Sequence, residues 1–174
     1  MVLSNRPAVR ALEIAKRFGV PSTVVESAGY PGTRQEYDAG LVEALERARV
    51  SAEQGLVLLA GFDRILSTEF VTHYQGRLMN IHPSLLPAFP GLHAQRQALE
   101  YGAKVAGCTV HFVSPEVDGG PIIIQRAVKV KDGDDEVSLS SRILVEEHRA
   151  YPLAVKLFVD GKLRIEGRSV VISE

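Results

Sequence analysis

One cysteine, no tryptophan and almost no net charge stand out among the 174 residues. With Cys108 alone no intramolecular disulfide can form, so the core has to hold the fold, and the composition suits a reducing compartment such as the cytoplasm. A formal net charge of -1 gives no support to a broad nucleic-acid or anionic-membrane surface. No apolar run approaches the roughly 20 residues of a membrane span. The opening MVLSNRPAVR lacks the basic and then apolar blocks of a signal peptide. Repeats, low-complexity tracts and linker-like Pro/Ser/Gly runs are missing too, which predicts one continuous domain over residues 1–174. What remains is globular usage, 45% hydrophobic and 24% charged, in a chain long enough to bury a sizeable core.

The pattern alternates between helical and extended segments. SNRP offers a polar cap with Pro7 at a first helical position, followed by Ala8, Ala11, Leu12, Ala15 and Phe18 at helical spacing until Gly19. STVVE (22–26) predicts a strand, and Thr33 to Glu36 has the spacing of a capping box ahead of a second helix through Tyr37, Leu41, Leu45 and Ala48. LVLLAGF (56–62) is apolar at consecutive positions, as in a strand covered on both faces. RLMNIH, GCTVHFV and PIIIQRAVKV predict further strands, and HAQRQALEYG a short helix closed by Gly102. A long helix with Leu139, Ile143, Leu144 and Val155, kinked or split at Pro152, precedes a terminal hairpin, KLRIEGRSVVI. The fold class is α/β: a mostly parallel sheet with helices on both faces and a C-terminal hairpin. The chain opens on MVL, where such a domain often has a full strand and a ligand-binding turn.

Polar residues interrupt the aliphatic pattern at NIHP, 80–83. Residues two apart on a strand share a face, so Asn80 and His82 stand together while Ile81 turns to the core, and Pro83 ends the strand with the pair at its rim. Ligands of open α/β sheets sit at such carboxyl ends. An amide N–H beside an imidazole supplies two donors to a developing oxyanion, and the imidazole can pass protons near neutral pH. SPEVDGGP (114–121) holds a second candidate, Asp118, which would stabilise an imidazolium if it faced His82. Each feature also has a reading without chemistry: a histidine satisfying a backbone carbonyl, and an Asp-Gly-Gly turn capping itself. The five histidines show no metal-binding spacing, so no metal is expected; Cys108 sits in an apolar strand pattern and no Gly-x-Ser-x-Gly elbow exists, so no covalent nucleophile is expected.

From AGFDRIL through NIHPSLLPAFPGLHAQRQALEYG to CTVHFVSPEVDGGP, and outward to SNRPAVRALEIAKRFGVP and EEHRAYPLAV, the chain resembles the glycinamide ribonucleotide formyltransferases of purine synthesis. The resemblance implies a Rossmann-like formyltransferase fold. It implies transfer of a formyl group from 10-formyltetrahydrofolate, as co-substrate, to the amine of glycinamide ribonucleotide, by a cytoplasmic monomer or homodimer that needs neither nucleic acid nor membrane. It places Asn80, His82 and Asp118 as the catalytic trio. Folate contacts fall at Arg34, Arg64, Ile65, Leu66, Val71 and Asn80 and along Ser114, Pro115, Glu116, Val117 and Asp118; Glu147 falls at the ribonucleotide. The family's first strand and its Gly-x-Gly-Ser-Asn phosphate turn have no counterpart, so the domain is expected to be N-terminally incomplete, with weak or no activity. Asp63 stands where methionine is usual, and Pro115 where an acid is common. Related alternatives are 10-formyltetrahydrofolate hydrolase, which usually has His-His where this chain has His82-Pro83, methionyl-tRNA formyltransferase, which is longer, and an inactive folate-binding module.

Overall fold

The computed structural model describes residues 1–173. The chain divides into two compact units, Met1–Leu56 with Leu66–His73, and Val57–Ile65 with the residues from Tyr74 onward. In the first unit, β1 (Val2–Ser4) pairs in parallel with β2 (Ser22–Val24), and α1 (Arg10–Arg17) forms the crossover. The cap expected at SNRP does not form. Ser4 Oγ spends its hydrogen bonds on the Arg6 carbonyl (2.7 Å) and N–H (3.1 Å), and Ala8 takes a left-handed φ of 55°. That turn places Pro7 ahead of the helix, which starts after Val9 without a side-chain cap.

The capping box does form. Thr33 Oγ1 accepts from the Glu36 N–H at 3.2 Å and the Glu36 carboxylate accepts from the Thr33 N–H at 2.6 Å, opening α2 (Arg34–Arg47). Tyr37, Leu41 and Leu45 recur every four residues and are buried, and the Tyr37 hydroxyl donates to the Val25 carbonyl at 2.6 Å. Asp38, also buried, accepts the Ser67 N–H at 2.5 Å and so caps α3 (Thr68–His73) from another helix.

The second unit is built on a six-stranded sheet, in the order β3 (Val57–Leu59), β4 (Leu78–His82), β5 (Val105–Phe112), β6 (Ile122–Lys129), β8 (Ser169–Ile172), β7 (Leu163–Glu166). Pairing is parallel at β3–β4 and β6–β8 and antiparallel at β4–β5, β5–β6 and in the terminal hairpin β7–β8. LVLLAGF departs from expectation: only three of its residues are strand, and Leu58 is 43% exposed, because β3 is the sheet's edge and, among the described residues, pairs with β4 alone. The strand buried along almost its whole length is β5, from Ala106 to Phe112.

Against β5 and β6 packs α5 (Glu136–Val159), which also touches α4 (Ala94–Tyr101), a helix closed by left-handed Gly102. Leu139, Ile143, Ala150 and Ala154 form its buried stripe, whereas Leu144 lies exposed. Pro152 does not split α5, which runs on to Val159. A mid-helix proline costs about 3 kcal/mol or more. Burial of Ala150 and Ala154 on either side offsets that, as does the neighbouring Tyr151 hydroxyl, which reaches the Leu59 and Met79 carbonyls at 2.8 and 3.0 Å.

Candidate active site

The antiparallel register of β4 and β5 sets Asn80 opposite His111 and His82 opposite Thr109. Opposed residues share a face, so two strands collect four polar side chains on one side of the sheet. The register of β5 with β6 shifts between Val110 and His111, a bulge of the kind that re-aims side chains beside functional sites. Ile81, expected in the core, is half-buried instead.

His82 is 5% exposed, and both of its ring nitrogens face acceptors. Nε2–H donates to the Phe89 carbonyl at 2.9 Å, and Nδ1 lies 3.4 Å from Asp118 Oδ2. Only an imidazolium can donate to both. Asp118 does not cap its own turn. It holds a left-handed φ of 52° and reaches across to accept the Gly91 N–H at 2.8 Å, with Oδ1 3.8 Å from His111 Nε2. The second glycine after it is required by a backbone approach: a Cβ on Gly120 would stand 1.8 Å from the Phe112 carbonyl oxygen. This contact and the Phe112 N–H to Pro121 carbonyl bond (2.9 Å) pin the Asp118 loop to the end of β5.

His111 is a member that the NIHP and DGGP motifs do not reveal. It is 1% exposed, its Nδ1–H donates to the Phe112 carbonyl at 3.0 Å, and its Nε2 is 3.4 Å from Asn80 Nδ2. Burial pushes its pKa below the usual imidazole value, opposed by the Phe112 hydrogen bond and the Asp118 charge and assisted by His82. The signal for it lay in CTVHFV, where Thr109 and His111 repeat the two-residue spacing of Asn80 and His82 within another apolar strand.

Ser114 is half-buried and donates to the Glu116 carbonyl at 3.2 Å, and Pro115, Glu116 and Val117 are exposed on the Asp118 loop. Arg64 is half-buried and Ile65 exposed after β3; in the first unit Arg34 is exposed, Leu66 half-buried and Val71 buried. Glu147 is half-buried on α5 and lines an open groove of about 500 Å³ with Gln95, Glu136, Ser140 and Leu144. Burial pushes its carboxyl above the usual value, while the charges of His148 and His82 act against that shift. The Cys108 thiol is fully buried and pushed up to about 11, so it carries no thiolate near neutral pH.

The α/β fold thus brings Asn80, His82 and Asp118 together at a strand end, an amide, an imidazole and a carboxylate able between them to donate to an oxyanion and to pass protons. Residues 1–155 match the formyl transferase family, and the chain belongs to that family. It is 44% identical over 164 residues to the phosphoribosylglycinamide formyltransferase of Escherichia coli, an alignment covering 94% of this chain and 75% of that protein. It is 50% identical over 164 residues to the trifunctional purine biosynthetic protein adenosine-3 of Drosophila pseudoobscura pseudoobscura, covering 94% of this chain but spanning only 12% of that longer protein. The crystal structure of glycinamide ribonucleotide transformylase 1 from Symbiobacterium toebii superposes with a TM-score of 0.93 at 53% identity, covering 99% of this chain and 79% of that one.

Proposed function

We propose that this chain transfers the formyl group of 10-formyltetrahydrofolate to the amine of glycinamide ribonucleotide, a step of de novo purine synthesis. The observation that carries the reading is the convergence of Asn80, His82 and Asp118 at the end of β4. The high-identity relatives are named for transfer, which favours transfer over hydrolysis.

In this reading the substrate amine attacks the formyl carbon, and negative charge develops on the formyl oxygen. The Asn80 amide and the His82 imidazolium donate to that oxygen, His82 exchanging its Nε2–H bond to the Phe89 carbonyl for the new acceptor. Asp118 sustains the imidazolium and relays the proton lost by the amine, directly or through water, to the folate nitrogen as its bond to the formyl carbon breaks. Arg64, Ile65, Asn80 and the 114–118 loop hold the folate. Glu147 receives the ribonucleotide, with the adjoining groove as its approach. The partners are these two small molecules, in the cytoplasm, with no nucleic acid or membrane and with the protein a monomer or homodimer.

The test is a steady-state assay with both substrates that separates formylated product from free formate. Formylated ribonucleotide as the main product supports the reading. Formate release independent of the amine would replace it with hydrolysis, and binding of folate without turnover would leave a folate-binding module.

A further inference from the structure

We propose that His111 is a positioning residue: with Nδ1–H committed to the Phe112 carbonyl, its bare Nε2 accepts a hydrogen bond from Asn80 and so fixes which way that amide faces. The roles of the two ring nitrogens follow from their partners. The Phe112 carbonyl, 3.0 Å from Nδ1, can only accept, so Nδ1 carries the proton and Nε2 of the neutral ring carries a lone pair. Opposite it across the ladder, Asn80 Nδ2 lies 3.4 Å away. An amide left to itself can turn half a revolution and exchange oxygen for nitrogen; an acceptor on one side ends that choice. One N–H then points to His111, and the other remains for an oxyanion.

The environment favours the neutral ring. His111 is 1% exposed, and the groups facing it are Asn80 and His82 from β4, Asp118 from the following loop and Thr109 on its own strand. Asp118 is the only carboxylate among these, and its Oδ1 at 3.8 Å is beyond hydrogen-bonding reach. Protonation would turn Nε2 into a donor facing a donor. The amide would then have to rotate, and Nε2–H would draw Asp118 away from His82. His111 therefore acts through its neighbours and does not meet the reacting atoms.

The role rests on the transfer reading, but its first test does not. Nitrogen-resolved NMR of the imidazoles in the wild-type protein at pH 7 should show His111 as the Nδ1–H tautomer with an unprotonated Nε2, persisting below pH 6.5. A protonated Nε2 at pH 7 overturns the proposal whether or not the protein transfers formyl groups. In the assay, His111→Leu should lower kcat by up to about tenfold, the worth of one lost hydrogen bond, with both KM values unchanged. His111→Gln, whose side-chain amide can present an oxygen where Nε2 stood, should recover most of that loss and lack the acid-side decline contributed by His111. Wild-type kcat in His111→Leu, or His111→Gln as slow as His111→Leu, sinks it. Should the leucine variant fail to fold, the tautomer and the glutamine variant decide.

Discussion

Two carboxylates of the second unit, both nearly closed to solvent, are held in opposite ways. Asp134, ahead of α5, is saturated. Arg142 grips it in two bonds of 2.7 and 2.8 Å, the Lys131 N–H adds 2.7 Å and the Ser138 hydroxyl 3.0 Å. The Arg142 guanidinium and these donors hold its carboxyl far below the usual range. Asp118 has one bond of normal length, from Gly91, and two longer contacts, 3.4 and 3.8 Å, to histidines. A carboxylate with every lone pair filled can only fasten structure, here the start of α5. One left short of partners in a buried position keeps the capacity to accept a proton or change partner, which is what proton relay demands.

This contrast makes testable demands, the strongest at Asp118. Asp118→Asn and His82→Ala should each lower kcat by roughly 10²–10⁴ with little change in folate affinity, because the lost interactions belong to the transition state. Steady-state kinetics with folate titration checks this, and near wild-type turnover in either variant would remove that residue from the chemistry. Next is the tight contact at Gly120 that pins the Asp118 loop. Gly120→Ala drives a Cβ into the Phe112 carbonyl and should cost about 1–3 kcal/mol in a denaturant titration, with activity falling as the loop shifts.

At the saturated site the pattern reverses. Asp134→Asn should lower Tm and leave kcat unchanged. Its folded pKa lies below the unfolded value of 3.8, so the stability it confers is present above that pH and lost as the pH falls through the folded value. Thermal melts of wild type and variant should therefore differ at pH 7 and converge in strong acid. The smallest effect is expected at Glu147, whose burial raises its pKa above 4.5. Its stability contribution is present below 4.5 and lost as the pH rises through the folded value, so the ionised carboxylate is a burden at pH 7. Glu147→Gln should raise Tm slightly at pH 7 but not at pH 4, while weakening binding of the ribonucleotide by calorimetry.

Features set by neighbours in sequence were legible. The Thr33–Glu36 capping box, the Gly102 helix stop and the Asn80–His82 face all depend on residues within three positions of one another, and each formed. SNRP misled because the same short polar side chain can close a turn as readily as cap a helix, and here the turn won. At Pro152 the helix does not split, because the packing of its neighbours outweighs a local rule. LVLLAGF misled because an apolar run reports suitability for burial and cannot tell an edge strand from a central one.

Residue order alone determined that an amide and an imidazole would share one face of a strand stopped by Pro83, since the two-residue period of extended backbone leaves no other outcome. It could not decide what would meet them. That Asp118 comes from a loop 36 residues beyond His82, and that His111 stands across from Asn80, depends on the register of β4 with β5 and on a glycine-tight contact at Phe112. A register slip of one residue would leave every local pattern intact and turn the opposing side chains to the other face, so only the paired sheet brings these groups together.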